Sequence, residues 1–133
     1  MSWNRVKKYT NKAEIEAWCD GMGIRNYTIN SQGEIDVNGN VDLASNNFKE
    51  LPYKFGEVKG YFSLRKCKNL TSLKNCPNYV GDFFSCSYCS QLDSLEGCPK
   101  KVEGMFFCNG CKRKFEIEEL VQLCNIILHN LYL

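Results

Sequence analysis

The chain is 133 residues long with 44% hydrophobic content, enough for one buried core and too short for two ordinary domains. Its 17 basic and 15 acidic side chains leave a net charge of +2, which excludes a global field able to pull the protein onto DNA or an anionic membrane. No stretch of about 18 uncharged apolar residues offers a bilayer span, and the start, MSWNRVKKYTNKAEIEAW, lacks the charged-then-apolar order of a secretory signal, so a cytoplasmic location is expected.

In chain order, the first predicted element is a short helix. Thr10 or Asn11 supplies an N-cap, Glu14 sits in the first turn, Ala13, Ile15, Ala17, Trp18 and Met22 are apolar, and Gly21 or Gly23 stops it. From Tyr27 to Leu43 the pattern alternates as a hairpin, with Ile35 and Val37 before the Asn38-Gly39 turn signal and Val41 and Leu43 after it.

A unit is then written twice in succession, KGYFSLRKCKNLTSLKNCPNYV (Lys59 to Val80) and GDFFSCSYCSQLDSLEGCPKKV (Gly81 to Val102). Phe62 falls over Phe84 and Phe106, Leu64 over Cys86 and Cys108, and Cys67 over Cys89 and Cys111. Leu70 then matches Leu92, Leu73 matches Leu95, Cys76-Pro77 matches Cys98-Pro99, and Val80 matches Val102. A looser copy runs from about Gly39 to Val58, and a further one starts at Glu103 and breaks off near Phe115. Self-similarity at a fixed period of this length marks a solenoid, in which each unit buries its apolar face only against its neighbours.

The unit reads apolar-x-apolar-x-x-Cys-x-x-Leu-x-x-Leu, as in Phe62 to Leu73, and in this it resembles the leucine-rich repeat. The wording LTSLKNCPNYVGDFF and DSLEGCPKKVEG is most similar to short leucine-rich-repeat proteins of tailed bacteriophages, over roughly Asp36 to Phe115. The resemblance implies a continuous apolar core, parallel strands on one face and turns on the other, and a viral protein working in the cytoplasm of a host bacterium.

Beyond the repeat, Ile117, Leu120, Val121, Cys124, Ile127, Leu128 and Leu131 recur at helical spacing, with Glu116, Glu118 and Glu119 in the first turn where the helix dipole favours them. Leu123 and Ile126 widen the apolar side, to pack on the last coil or to form a homodimer or partner contact. The expected architecture is thus an α+β repeat in a single domain. Residues 1–35 form a helical cap and hairpin start, 36–115 a leucine-rich-repeat-like solenoid of about four coils, and 116–133 a C-terminal helical cap.

Nine cysteines admit three readings, of which structural disulfides are the least favoured without a secretory signal. Cys86-x-x-Cys89 and Cys108-x-x-Cys111 have the spacing of a four-thiolate zinc site. Both pairs also arise because two columns of the repeat hold Cys, and Cys67 continues one column opposite Leu64, as a ladder of small buried residues requires and a metal site does not. The ladder, with no metal or cofactor, is the reading preferred. Catalysis is not expected either: the only histidine, His129, lies beside Asn130 at the expected helix end, the acidic residues form no pair at matched positions, and the glycines are turn residues rather than a phosphate loop.

Strand alternation with Phe62 and Leu64 inward turns Tyr61, Ser63 and Arg65 outward, then Phe83, Ser85 and Ser87, then Met105, Phe107 and Asn109. Tyr61, Phe83, Met105 and Phe107 therefore form an apolar stripe with Arg65 beside it, the expected contact surface for a protein partner. A basic edge of Arg65, Lys66, Lys68, Lys112, Arg113 and Lys114 is interrupted by Ser87, Ser90 and Gln91, so direct nucleic-acid binding is not favoured. The expected function is non-catalytic binding of a host factor, such as an immune nuclease. The alternative is a zinc-stabilised nucleic-acid-binding module.

Overall fold

A computed structural model describes residues 3–126 and 130–133, with the side chains of residues 11–126 and 130–133. His129, and the helical positions expected at Ile127 and Leu128, lie outside the described residues. The chain runs α1 (Trp3–Gly21), β1 (Tyr27–Ile29), β2 (Ile35–Val37), β3 (Val41–Asp42), β4 (Phe55–Val58), β5 (Phe62–Ser63), β6 (Tyr79–Val80), β7 (Phe84–Ser85), β8 (Lys101–Val102), β9 (Phe106–Phe107), α2 (Ile117–Leu123) and β10 (Leu131–Tyr132). It is a β-solenoid of about four turns with parallel strands.

The matched positions of the repeat become matched positions in space. Phe62 pairs with Phe84 and Phe84 with Phe106, in parallel register, and Val41 continues the same column below Phe62. On the other side of each coil, Val58, Val80 and Val102 pair in a second column. Strands therefore occupy both sides of the coil, one sheet in the order β1-β2-β4-β6-β8 and another in the order β10-β9-β7-β5-β3. The repeat pattern places turns where the first sheet lies. Its strands are only two residues long in the later coils, too short for alternation to announce them.

Burial separates the two sets of strand residues cleanly. Phe62, Leu64, Phe84, Cys86, Phe106 and Cys108 are at most 1% exposed, as are Cys67, Cys89, Leu70, Leu73, Leu92 and Leu95. The aromatic members make a continuous spine, with ring centroids 5.0 Å apart from Phe55 to Phe62, 6.1 Å from Phe62 to Phe84 and 5.0 Å from Phe84 to Phe106. Contacts of this kind add to the area each ring buries. At the first coil Trp18 of α1 carries the spine on, meeting Phe55 at 6.0 Å, Tyr53 at 5.7 Å and Phe48 at 6.2 Å. Tyr27 fixes the end of that helix by donating its hydroxyl to Asp20 Oδ1 at 2.7 Å.

Three boundaries differ from the sequence reading. Helix α1 begins at Trp3, so Thr10 and Asn11 lie inside it rather than at its N-cap position. The antiparallel hairpin joins β1 to β2, Tyr27 opposite Val37 and Ile29 opposite Ile35, through a turn closed by Asn30 rather than by Asn38-Gly39. The latter pair is instead the corner where the chain leaves one sheet for the other. Its turn chemistry was legible, but which sheet the next strand joins depends on Tyr61, whose carbonyl accepts from Val41 N–H at 2.8 Å.

The third difference is the largest. Helix α2 ends at Leu123, and Cys124 is extended with φ −138° and ψ 137°. The tail then rejoins the solenoid: Asn125 bridges to Lys101 beside one sheet, and Leu131 and Tyr132 pair with Phe106 and Phe107 in the other. Unpaired edge groups explain the preference, because Asn125 N–H reaches Lys100 O at 2.7 Å and Cys108 N–H reaches Tyr132 O at 2.7 Å. Helical spacing of the apolar residues alone does not register an open sheet edge nearby.

Close approach of the coils needs glycine at one corner. A Cβ at Gly81 would collide with the Lys59 carbonyl oxygen and approach its carbonyl carbon at 2.9 Å. That neighbour is backbone and cannot swing aside. Gly81→Ala is expected to cost about 1–3 kcal/mol, the range for overpacking, in a urea titration. A midpoint unchanged from wild type would show that the coils are farther apart than described.

Candidate functional site

The outer side of the second sheet carries the residues singled out as a contact surface. Tyr61 and Phe83 lie on adjacent strand entries and stack at 4.6 Å with their planes 8° apart. Phe107 stands edge-on to Phe83 at 5.8 Å, and Tyr132 of the rejoined tail lies 5.0 Å from Phe107. The structure thus brings Tyr61, Phe83 and Phe107 together and adds Tyr132, which the helical reading of the tail had hidden. Met105 is half-buried beside them.

Tyr61, Phe83 and Phe107 are half-buried, because each spends part of its surface on its neighbour, whereas Tyr132 is exposed. Ser63, Ser85 and Ser87, expected to face water, are only 7%, 4% and 3% exposed. They form the floor of a groove of about 390 Å³ whose walls include Phe83, Phe107, Tyr132, Tyr88 and Arg65. Arg65 is exposed and its guanidinium lies 5.2 Å from the centre of the Tyr88 ring.

Backbone geometry at the rim is set by the repeat. Ser45, Lys66, Tyr88 and Gly110 occupy one corner of four successive coils and all adopt positive φ, 61°, 63°, 60° and 75°. Gly110 is the unstrained choice there, and an aromatic residue is a poor one. Tyr88 is 44% exposed, and a Cβ at Gly110 would strike its ring carbons, so glycine in the next coil makes room for it.

The cysteine columns occupy the interior beneath this face. Cys67, Cys89 and Cys111 donate their thiols to Leu43 O, Leu64 O and Cys86 O at 3.3, 3.1 and 3.1 Å, each reaching the carbonyl that ends the strand of the preceding coil. The thiols add a donor to carbonyls of which Leu43 O also accepts from Asn46 Nδ2 and Leu64 O from Cys67 N–H. Burial pushes the Cys89 and Cys108 thiols up to about 12, and a hydrogen bond to Cys111 together with burial pushes Cys86 up as well. Cys86, Cys89, Cys108 and Cys111 are neighbours in this interior, but among the described residues no group of three or more His, Cys, Asp or Glu side chains is placed to hold a metal ion.

The basic edge is divided in the same way. Arg113 forms a two-point pair with Glu119 at 2.9 and 2.7 Å, and Lys112 lies 4.0 Å from Asp93. These exposed pairs partly neutralise the ridge that a polyanion would use. No helix among the described residues is long and apolar enough to cross a membrane. No family model, curated protein or solved structure matches the chain.

Proposed function

We propose that this protein is a non-catalytic binding module whose outer second-sheet face receives a protein partner. The observation that carries the reading is the groove, where four aromatic side chains and one guanidinium surround a hydroxyl floor on a rigid ladder of paired strands. Surfaces that join aromatic anchors to arginine and hold them without loop motion suit protein recognition. The resemblance of the repeat to the short leucine-rich-repeat proteins of tailed phages makes a host bacterial factor, such as an immune nuclease, the natural class of partner. In this reading α1 and the rejoined tail act as caps that keep the solenoid ends from associating, which leaves the face as the route to a complex.

The test is capture from bacterial lysate with three forms of the protein: wild type, Phe83→Asp with Phe107→Asp, and Tyr79→Asp on the opposite sheet. A partner held by the wild type and the Tyr79 variant and lost by the double variant is the expected result. The same proteins retained by all three would mean that the face has been misassigned.

A further inference from the structure

We infer that the groove recognises a carboxylate on an extended peptide segment of the partner, with Arg65 and Asn109 as its donors; this rests on the binding reading above and names the chemistry it uses. Apart from the Tyr88 and Tyr132 hydroxyls, which both donate and accept, the groove's unspent side-chain hydrogen-bonding capacity is that of donors. Ser63 Oγ and Ser85 Oγ already accept from Arg65 N–H and Ser87 N–H, both at 3.3 Å, so their hydroxyl hydrogens remain to be given. Ser87 donates to Asn109 Oδ1 at 2.6 Å, which occupies the acceptor end of that amide and leaves its two N–H groups toward solvent. Arg65 has no carboxylate partner among the described residues, whereas Lys101, Lys112 and Arg113 each have one.

No aspartate or glutamate lines the groove. A ligand that fits must therefore bring acceptors, and a carboxylate meets a guanidinium with two parallel bonds. Arg65 is also preorganised for that task. It rests on the Tyr88 ring, and Tyr88 holds that position in a left-handed backbone conformation that disfavours it, over a coil where Gly110 makes space. The left-handed corner recurs from coil to coil, and what is particular to this one is an aromatic ring that lines the groove and supports Arg65.

The walls choose peptide over nucleic acid. Bases bind by stacking on open ring faces, but Phe83 is flanked by Tyr61 and Phe107, and Phe107 by Phe83 and Tyr132. Phe83 and Phe107 are thus each engaged on two sides, and they suit contact with an aliphatic or aromatic side chain beside the carboxylate better than stacking of a base.

The probes are two blocked tripeptides that differ only in charge, acetyl-Phe-Glu-Phe-amide and acetyl-Phe-Gln-Phe-amide, followed by amide chemical shifts of the full-length protein. The glutamate peptide is expected to shift Ser87, Phe107 and Asn109 and to bind roughly tenfold more tightly than its neutral twin, the advantage of a charge-assisted hydrogen bond. Arg65→Gln should erase that difference without moving the thermal midpoint, since an exposed side chain contributes little to stability. Equal binding of the two peptides at these residues overturns carboxylate recognition and leaves the face intact. No shift with either peptide overturns the inference, while the face itself stands or falls on the capture experiment. Tighter binding of a single-stranded tetranucleotide at the same residues overturns the assignment to peptide.

Discussion

Phe84→Ala is expected to lose about 3–5 kcal/mol of unfolding free energy, the range for truncating a buried ring, whereas Phe83→Ala, one residue earlier, should lose about 1–2 kcal/mol. Phe84 is fully buried in the middle of the spine, 6.1 Å from Phe62 and 5.0 Å from Phe106. Its removal opens a cavity between two neighbours that are held by their own strand pairing and cannot collapse into it. Phe83 is half-buried on the outer side and loses one stacked and one edge-on contact. Parallel urea titrations of the two variants measure the difference. Equal losses would mean that the strands do not present alternate residues to core and solvent, and both the groove and the spine would have to be drawn again.

The same adjacent pair shows what the sequence could and could not disclose. The core was legible because the period repeats: Phe62, Phe84 and Phe106, the leucines and the cysteine columns are stacked as their alignment requires. Binary alternation likewise placed Tyr61, Phe83 and Phe107 on the outer side. It carried no information on how far each ring would shelter its neighbour, nor on the burial of the serines beneath them. The second sheet was hidden for a related reason, since a pair such as Tyr79-Val80 is too short to carry a period.

The tail was misread because local and non-local forces disagree there. From Ile117 to Leu123 the helical pattern prevails, with Leu120 buried and Ile117 and Val121 45% and 47% exposed. Beyond Cys124 the open edges of β8 and β9 compete for the chain, and backbone pairing at Asn125, Leu131 and Tyr132 outweighs a helix that would leave those edges bare. Tyr132 enters the groove only through this outcome. A site residue supplied by tail pairing is invisible to any reading that treats the segment as a helix.

The buried thiols of the cysteine columns and of helix α1 should make this solenoid sensitive to alkali. Cys19, Cys89 and Cys108 are at most 1% exposed, and burial, the largest cause in each case, raises them from an ordinary 9.0 to about 11, about 12 and about 12. Below pH 9 the folded and unfolded chains both keep these protons, so the neutral thiols contribute fully. Above pH 9 the unfolded chain releases protons that the folded chain retains, and stability falls until the pH reaches the folded values. Each such thiol then costs about 1.4 kcal/mol per pH unit. Three together cost roughly 4 kcal/mol per unit, a large share of the 5–15 kcal/mol typical of a domain. The thermal midpoint is therefore expected to hold between pH 7 and 9 and to drop steeply between 9 and 11. Lysine and tyrosine titrate in the same window, and Cys89→Ala separates the contributions: it lowers stability at pH 7 by leaving the Leu64 carbonyl without its thiol donor, yet its decline toward pH 11 should be shallower by one thiol's share. A variant with the same alkaline slope as the wild type would place Cys89 in contact with water and remove the ladder from the interior.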